Sequence, residues 1–434
     1  MTAKNATASP DPVALLKSWG YIRLLVLAAV LGVPISAAAY GFLALIQYLQ
    51  RWIYDDLPAG LGFDSAPLWW PIPVLAVAGV LVGSAIRYLP GHGGHVPAEG
   101  FKLGLPSPVE LPGIVAAALI GLGLGVVLGP EAPLIAFGGG LAIWAVHLLR
   151  RDLPERATAV VAAAGSYAGI STLLGSPIVG AFLLMEASGV AGPMLGVVLL
   201  PGLLAAGIGS LIFIGLGNWT GLGTLSLAVP DLPPIGPPDI AQFGWAVLIG
   251  LAAAVVGSGI RMLAVALQRL VERSVVIFAT VAGIAIALLA VAYAEGSGRD
   301  FSEVLFSGQV ALGPLLTQSQ SYSVGALLLL IVCKGLAYTV ALASFRGGPT
   351  FPAMFVGAAG GILLSHLPGL PPIAGAAMGI GAMCAVMLRL PLTSVLLASL
   401  LLGSDGLDVI PLIIVSVVVA HVVSARLADA FTPG

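Results

Sequence analysis

The chain has 434 residues, 59% of them hydrophobic and only 8% charged, with a formal net charge of −2. Soluble domains carry roughly 25% charged residues, so most of this surface faces lipid, and neither a soluble enzyme nor a nucleic-acid-binding protein fits. At about 20 apolar residues per spanning helix there is room for upwards of about ten membrane segments.

The first apolar run, about residues 22–49, is too long for a cleaved signal peptide and predicts a first membrane helix. Lys4, Lys17 and Arg23 precede or open it and Asp55 and Asp56 follow it. The positive-inside rule then puts the N-terminus, residues 1–20, in the cytoplasm. Apolar runs at about 70–88, 113–149, 157–188 and 190–217 complete a first membrane repeat, 21–217. Residues 218–240, rich in Gly, Pro and Leu, read as a connector. Runs at about 241–266, 274–293, 324–343, 351–367, 371–403 and 409–428 form a second repeat, 241–434. The basic loops at Arg150, Arg151 and Arg156 and at Arg269 and Arg273 are expected on the cytoplasmic side. Several runs are too long or too short for one span, and 58 glycines and 32 prolines cut them. Broken backbone in lipid must be satisfied inside protein. The expected fold is an all-α polytopic bundle of tilted, broken and re-entrant helices.

The chain repeats its own punctuation. Gly129-Pro130-Glu131-Ala132-Pro133 returns as Gly348-Pro349-Thr350-Phe351-Pro352, and Gly138 and Gly357 follow at the same distance. Gly165…Pro177 and Gly379…Pro391 share a second spacing. A duplicated membrane protein commonly binds its ligand where the broken helices of its halves meet. Gly-Pro-x-x-Pro reads as a helix start, because proline lacks an N–H that would be unpaired there anyway. Two such starts present free N–H groups and positive dipole ends, which favour a small anion without trapping it. Glu131, the one acid in either pentad, is a functional candidate by its position in the membrane. Ionised, it suits a helix N-terminus and competes with a permeant anion; the plainer reading is a fixed capping carboxylate. Its sister position is the uncharged Thr350.

These residues carry a resemblance. Leu124–Pro133 looks like the GxEGP signature of the voltage-gated chloride channel (CLC) family, and Gly348–Pro352 is similar to its GxFxP signature. Gly93-Gly94-His95-Val96-Pro97 sits where GSGIP is expected, and Pro391-Leu392-Thr393 also matches. The resemblance spans nearly the whole chain and is to bacterial members without soluble regulatory domains. It implies about eighteen helices in two inverted-topology repeats. It implies a homodimer in the cell membrane, with the lipid bilayer as partner, no nucleic acid, and one anion path per subunit. Chloride is then the bound and transported ion, and no other cofactor is expected. Glu131 becomes the external gate, with Gly94, His95, Val96, Thr350 and Phe351 at the anion. There are departures. Gly94 replaces the family serine, Pro349 has no N–H to offer, and Thr350 offers a hydroxyl where the family has phenylalanine. The C-terminal tyrosine has no clear counterpart near Phe431.

Proton-coupled members carry two acids where this chain has Glu186-Ala187. Ala187 cannot titrate, so the expectation is an uncoupled anion conductor with Glu186 on an internal proton or water path or simply capping a helix. The alternatives are a proton-coupled chloride/proton antiporter and a fluoride-selective relative. A cation or substrate transporter should show more acids within its spans. An intramembrane metalloprotease would need an H-E-x-x-H pair, which is absent, so no metal site is expected. Ser176 and His421 lack any motif for a serine protease. Cys333 and Cys384 read as small buried hydrophobes. Lys334 and Arg389 are expected to snorkel or to pair with helix C-termini. His92 and His95 lie in a Gly-rich turn, and Asp405 and Asp408 in a surface turn.

Overall fold

The computed structural model describes residues 12–101, 104, 106–149, 155–171, 173–189, 194–224, 238–401 and 406–431. Lys4, Arg150, Arg151, Asp405 and most of the 218–240 connector lie outside the described residues, as does the side chain of Arg156. The first half runs through α1 (Pro12–Leu16), α2 (Trp19–Arg51), α3 (Leu57–Gly60), α4 (Pro71–Tyr88), α5 (Leu111–Gly123), α6 (Glu131–Leu149), α7 (Glu155–Ile170), α8 (Pro177–Ser188) and α9 (Met194–Thr220). The second half comprises α10 (Ile240–Val271), α11 (Val275–Ser297), α12 (Gln309–Thr317), α13 (Val324–Ser344), α14 (Thr350–Leu364), α15 (Pro372–Leu388), α16 (Pro391–Leu401) and α17 (Gly406–Phe431).

Among the described residues, eight helices are long and apolar enough to cross a membrane. The first is the continuous stretch Trp19–Gly60, in which a π-helical turn, Trp52–Asp56, joins α2 to α3. The chain is a multi-pass membrane protein. Other apolar helices are too short for a full span. With 15 residues, α14 reaches only about 22 Å of a hydrocarbon layer about 30 Å thick. It begins inside protein, at the buried Thr350, and its last turn, at Leu363 and Leu364, is half-buried.

The repeated glycines are helix crossings. Gly138 of α6 faces the carbonyls of Gly165 in α7, and Gly357 of α14 faces Gly379 in α15. A Cβ at any of the four would overlap a backbone oxygen of its partner helix. Such small residues let helix backbones approach in lipid, where the hydrophobic effect does not drive association. The Gly165 and Gly379 spacings then lead into the Pro-started helices α8 and α16. At the join of the halves, Gly79 of α4 packs on Ala279 and Thr280 of α11, and Gly283 of α11 packs on Leu75 of α4. α15 is buried on every side from Ile373 to Leu388, so it is the core helix of the second half.

Both cysteines are buried and free. Arg389 lies at a helix end, exposed in the left-handed C-cap of α15 with φ 59°. Lys334 does not snorkel. It is fully buried, and its Nζ donates to the carbonyls of Glu303 (2.8 Å), Val304 (3.1 Å) and Leu305 (3.1 Å). These carbonyls close the short 3-10 turn Phe301–Glu303. The ammonium also lies 4.4 Å from the centre of the Phe355 ring. Pairing with a helical C-terminus, one of the two expectations, is what this lysine does.

Candidate functional site

The two pentads touch. Gly129 donates to Gly348 O at 2.8 Å and Gly348 donates to Gly129 O at 2.6 Å. This antiparallel pair is the only β-bridge among the described residues. It joins positions that are equivalent in the two repeats, so the repeats meet where each of them starts a helix. Tyr338 anchors the second turn by donating to Pro349 O at 2.7 Å.

Glu131 opens α6 and is fully buried. Its Oε1 accepts the Thr350 N–H, the first of α14, at 2.6 Å. That N–H has no partner within its own helix, and the dipole favours the negative oxygen. The two glycines make room for it. A Cβ on Gly348 would overlap the Glu131 carboxyl, and one on Gly129 would meet both that carboxyl and the Phe351 ring. Glu131 Oε2 and Thr350 Oγ1 are both buried without a hydrogen bond. Pro349 offers no N–H, and Thr350 supplies the backbone donor in its place.

Two cavities flank this contact. One, of about 760 Å³, is lined by Leu128 and Pro130 together with Gln50, Tyr54, Phe306 and Gln309. The other, of about 320 Å³, is lined by Ala132 and Pro133 together with Gly94, His95 and Arg346. Along the chain, Glu131 divides one lining from the other.

The turn before the smaller cavity holds several of the expected residues. Gly91, His92, Gly93 and Gly94 all have positive φ, between 49° and 93°, which folds the chain back on itself. His92 accepts this strained conformation without being glycine. His95 Nε2 faces Gly100 O at 2.6 Å and His92 Nδ1 faces Ile86 O at 3.1 Å. A carbonyl only accepts, so each of these ring nitrogens carries its proton. Val96 packs partly buried against the core and does not line the cavity. Phe351 is buried, its ring edge against Gly129. The structure thus brings Glu131, Thr350 and Phe351 together, and places Gly94 and His95 across the smaller cavity from the start of α6. The side chain of Phe431 lies outside the described residues.

Glu186, near the end of α8, uses both carboxylate oxygens on the start of α16. Oε1 accepts from Leu392 N (3.0 Å), and Oε2 from Thr393 N (2.8 Å) and Thr393 Oγ1 (2.6 Å). Its geometry is that of a capping carboxylate. Two site residues escaped the sequence reading. Tyr338 gives no signal within an apolar run. Arg346, two residues before Gly348, offered one usable signal, a lone cation beside the second pentad.

The sequence profile described as "Voltage gated chloride channel" matches residues 100–425. The ion-transport protein YfeO of Escherichia fergusonii is 30% identical over 351 residues, covering 79% of each chain. YfeO of Salmonella paratyphi A is 30% identical over 350 residues, covering 79% of this chain and 81% of that one. Among solved structures, a slow cyanobacterial Cl−/H+ antiporter superposes with a TM-score of 0.73 at 19% identity, covering 93% of this chain and 95% of that one. A CLC-type fluoride/proton antiporter superposes with a TM-score of 0.70 at 20% identity, covering 94% and 97%. The paired proline-flanked helix starts, the profile match and the relatives agree: the chain belongs to the voltage gated chloride channel family.

Proposed function

We propose that this protein conducts a small anion, chloride in the first place, between its two cavities, with Glu131 as the gate. The observation that carries the reading is the buried 2.6 Å bond from the Thr350 N–H to Glu131 Oε1, whose chain neighbours Pro130 and Ala132 line one cavity each. A carboxylate there occupies the position that a permeant anion would take. When Glu131 is protonated or displaced, the Thr350 N–H is released to the ion. Thr350 Oγ1, buried and without a partner, is the second donor for it.

Conduction is uncoupled from protons in this reading. Ala187 cannot titrate, and Glu186 is engaged on both oxygens by the start of α16, which supports a structural role. The competing reading is proton-coupled exchange, which the activities named for the two structural relatives favour. The protein sits in the cell membrane as a homodimer with its N-terminus in the cytoplasm, and the larger cavity, beside Arg51 and Asp55, faces outward.

Reconstitution into liposomes tests this directly. Efflux is followed with chloride- and fluoride-selective electrodes while external pH is recorded. Chloride efflux without proton movement against a gradient is the expected result. Proton uptake driven by a chloride gradient at a fixed ratio would replace the uncoupled reading with exchange.

A further inference from the structure

The smaller cavity carries a charge that neither helix start supplies. Arg346 lies in the break between α13 and α14 and lines this cavity with Gly94, His95 and Pro133. Its side chain is held in place. Nε donates to His92 O at 3.3 Å, Nη1 donates to Phe345 O at 3.2 Å, and Cγ packs where a Cβ on Gly93 would come within 3.1 Å. Its hydrogen-bond partners are backbone carbonyls rather than a carboxylate, and a guanidinium has more N–H donors than these two bonds use. Among the described lining residues it is the one permanent cation, since a guanidinium keeps its proton throughout the physiological range.

We infer that Arg346 is an anion-binding residue of this cavity, holding a monovalent anion at its guanidinium before the ion meets Glu131. The inference rests on the conduction reading above and names a ligand for the same path. It supplies a side-chain donor on the side where Gly94 has none. The cavity's opposing charge is Glu110, whose Oε2 accepts the Ser107 N–H at 3.2 Å. Glu99 lies within electrostatic reach of the guanidinium, and its Oε1 accepts from Gln268 Nε2 at 3.5 Å. These acids temper the site without contacting the guanidinium, which keeps binding weak enough for release.

The test measures initial anion efflux from proteoliposomes against internal chloride, and then nitrate, for wild type, Arg346→Gln, Arg346→Lys and Glu110→Gln. Arg346→Gln is expected to raise the half-saturating concentration about tenfold, more than it changes the maximal flux. Arg346→Lys, which keeps the charge, should stay within about threefold of wild type. Glu110→Gln should lower the half-saturating concentration. An unchanged half-saturation in a well-folded Arg346→Gln protein overturns the inference, as does equal loss of flux in the Gln and Lys variants. If Arg346→Gln fails to fold, an unchanged half-saturation in Glu110→Gln overturns it. Absence of all anion flux in the wild type would instead defeat the conduction reading. Calorimetric titration of chloride into the detergent-solubilised wild type and Arg346→Lys proteins then still decides whether the site binds.

Discussion

Glu131 and Thr350 are 219 residues apart, the distance between the two pentads, and are joined by a hydrogen bond of 2.6 Å. The acid therefore caps the helix that is its own helix's sister. Glu186 and Thr393, 207 residues apart, repeat the arrangement: an acid carried by α8 caps α16. Both acids belong to the first repeat, and both capped helices to the second. The duplication has kept the helix starts and lost the symmetry of charge.

Neutralising the proposed gate tests this contact. Protonation removes the negative charge that the start of α14 favours, so wild-type anion flux is expected to rise as pH falls. Glu131→Gln should raise flux at neutral pH by about tenfold and flatten its pH dependence. Liposome efflux measured across the acidic to neutral range checks this, and a pH response that survives the substitution would remove Glu131 as the gate.

Thr350 separates backbone from side-chain binding. Thr350→Val keeps the N–H and the shape but deletes the unpartnered hydroxyl, and should weaken anion affinity about tenfold. Thr350→Ser should retain wild-type affinity. If valine and serine behave alike in concentration-dependent flux, the anion is held by backbone alone.

The glycine crossings should fail in parallel. Gly138→Ala and Gly357→Ala each drive a Cβ into a backbone oxygen of the neighbouring helix, at a cost of about 1–3 kcal/mol. Gly360, in the same helix as Gly357, has open space beside it. Gly360→Ala should be neutral or slightly stabilising through helix propensity. Thermal unfolding in detergent ranks the three.

Lys334→Met leaves three buried carbonyls without their donor and is expected to cost about 3 kcal/mol. The same unfolding measurement applies. A melting temperature equal to wild type would mean that water replaces the ammonium, and that the turn at Glu303 does not depend on it.

Glu186 tests the coupling question from the other side. Glu186→Gln retains one acceptor oxygen for the start of α16 and should lose about 1 kcal/mol of stability with no change in the ratio of proton to anion flux. A change in that ratio would make Glu186 a proton carrier rather than a cap.

Composition and periodic hydrophobicity were enough to read a polytopic helical protein, because lipid admits few other solutions for a chain this apolar. The pentads could be read as helix starts, and Glu131 as the residue to explain, because proline and glycine impose their geometry locally. The shared Gly138 and Gly357 were visible as a pattern, but their meaning as crossings required the partners Gly165 and Gly379 to be in place. For Lys334 both snorkelling and pairing with a helix C-terminus were open, and only the contact of α13 with the Phe301–Glu303 turn decided for the second.

The amino-acid order by itself determined where helices start, which stretches enter lipid and which acid lies within them, since these depend on neighbours in the chain. Only the tertiary structure decided that Glu131 binds Thr350 of the other repeat, that Glu186 is spent on α16, and that Arg346 faces the same cavity as Gly94. Each of these relationships spans about two hundred positions or more, and the partners are chosen by how the two repeats pack, which no local preference encodes.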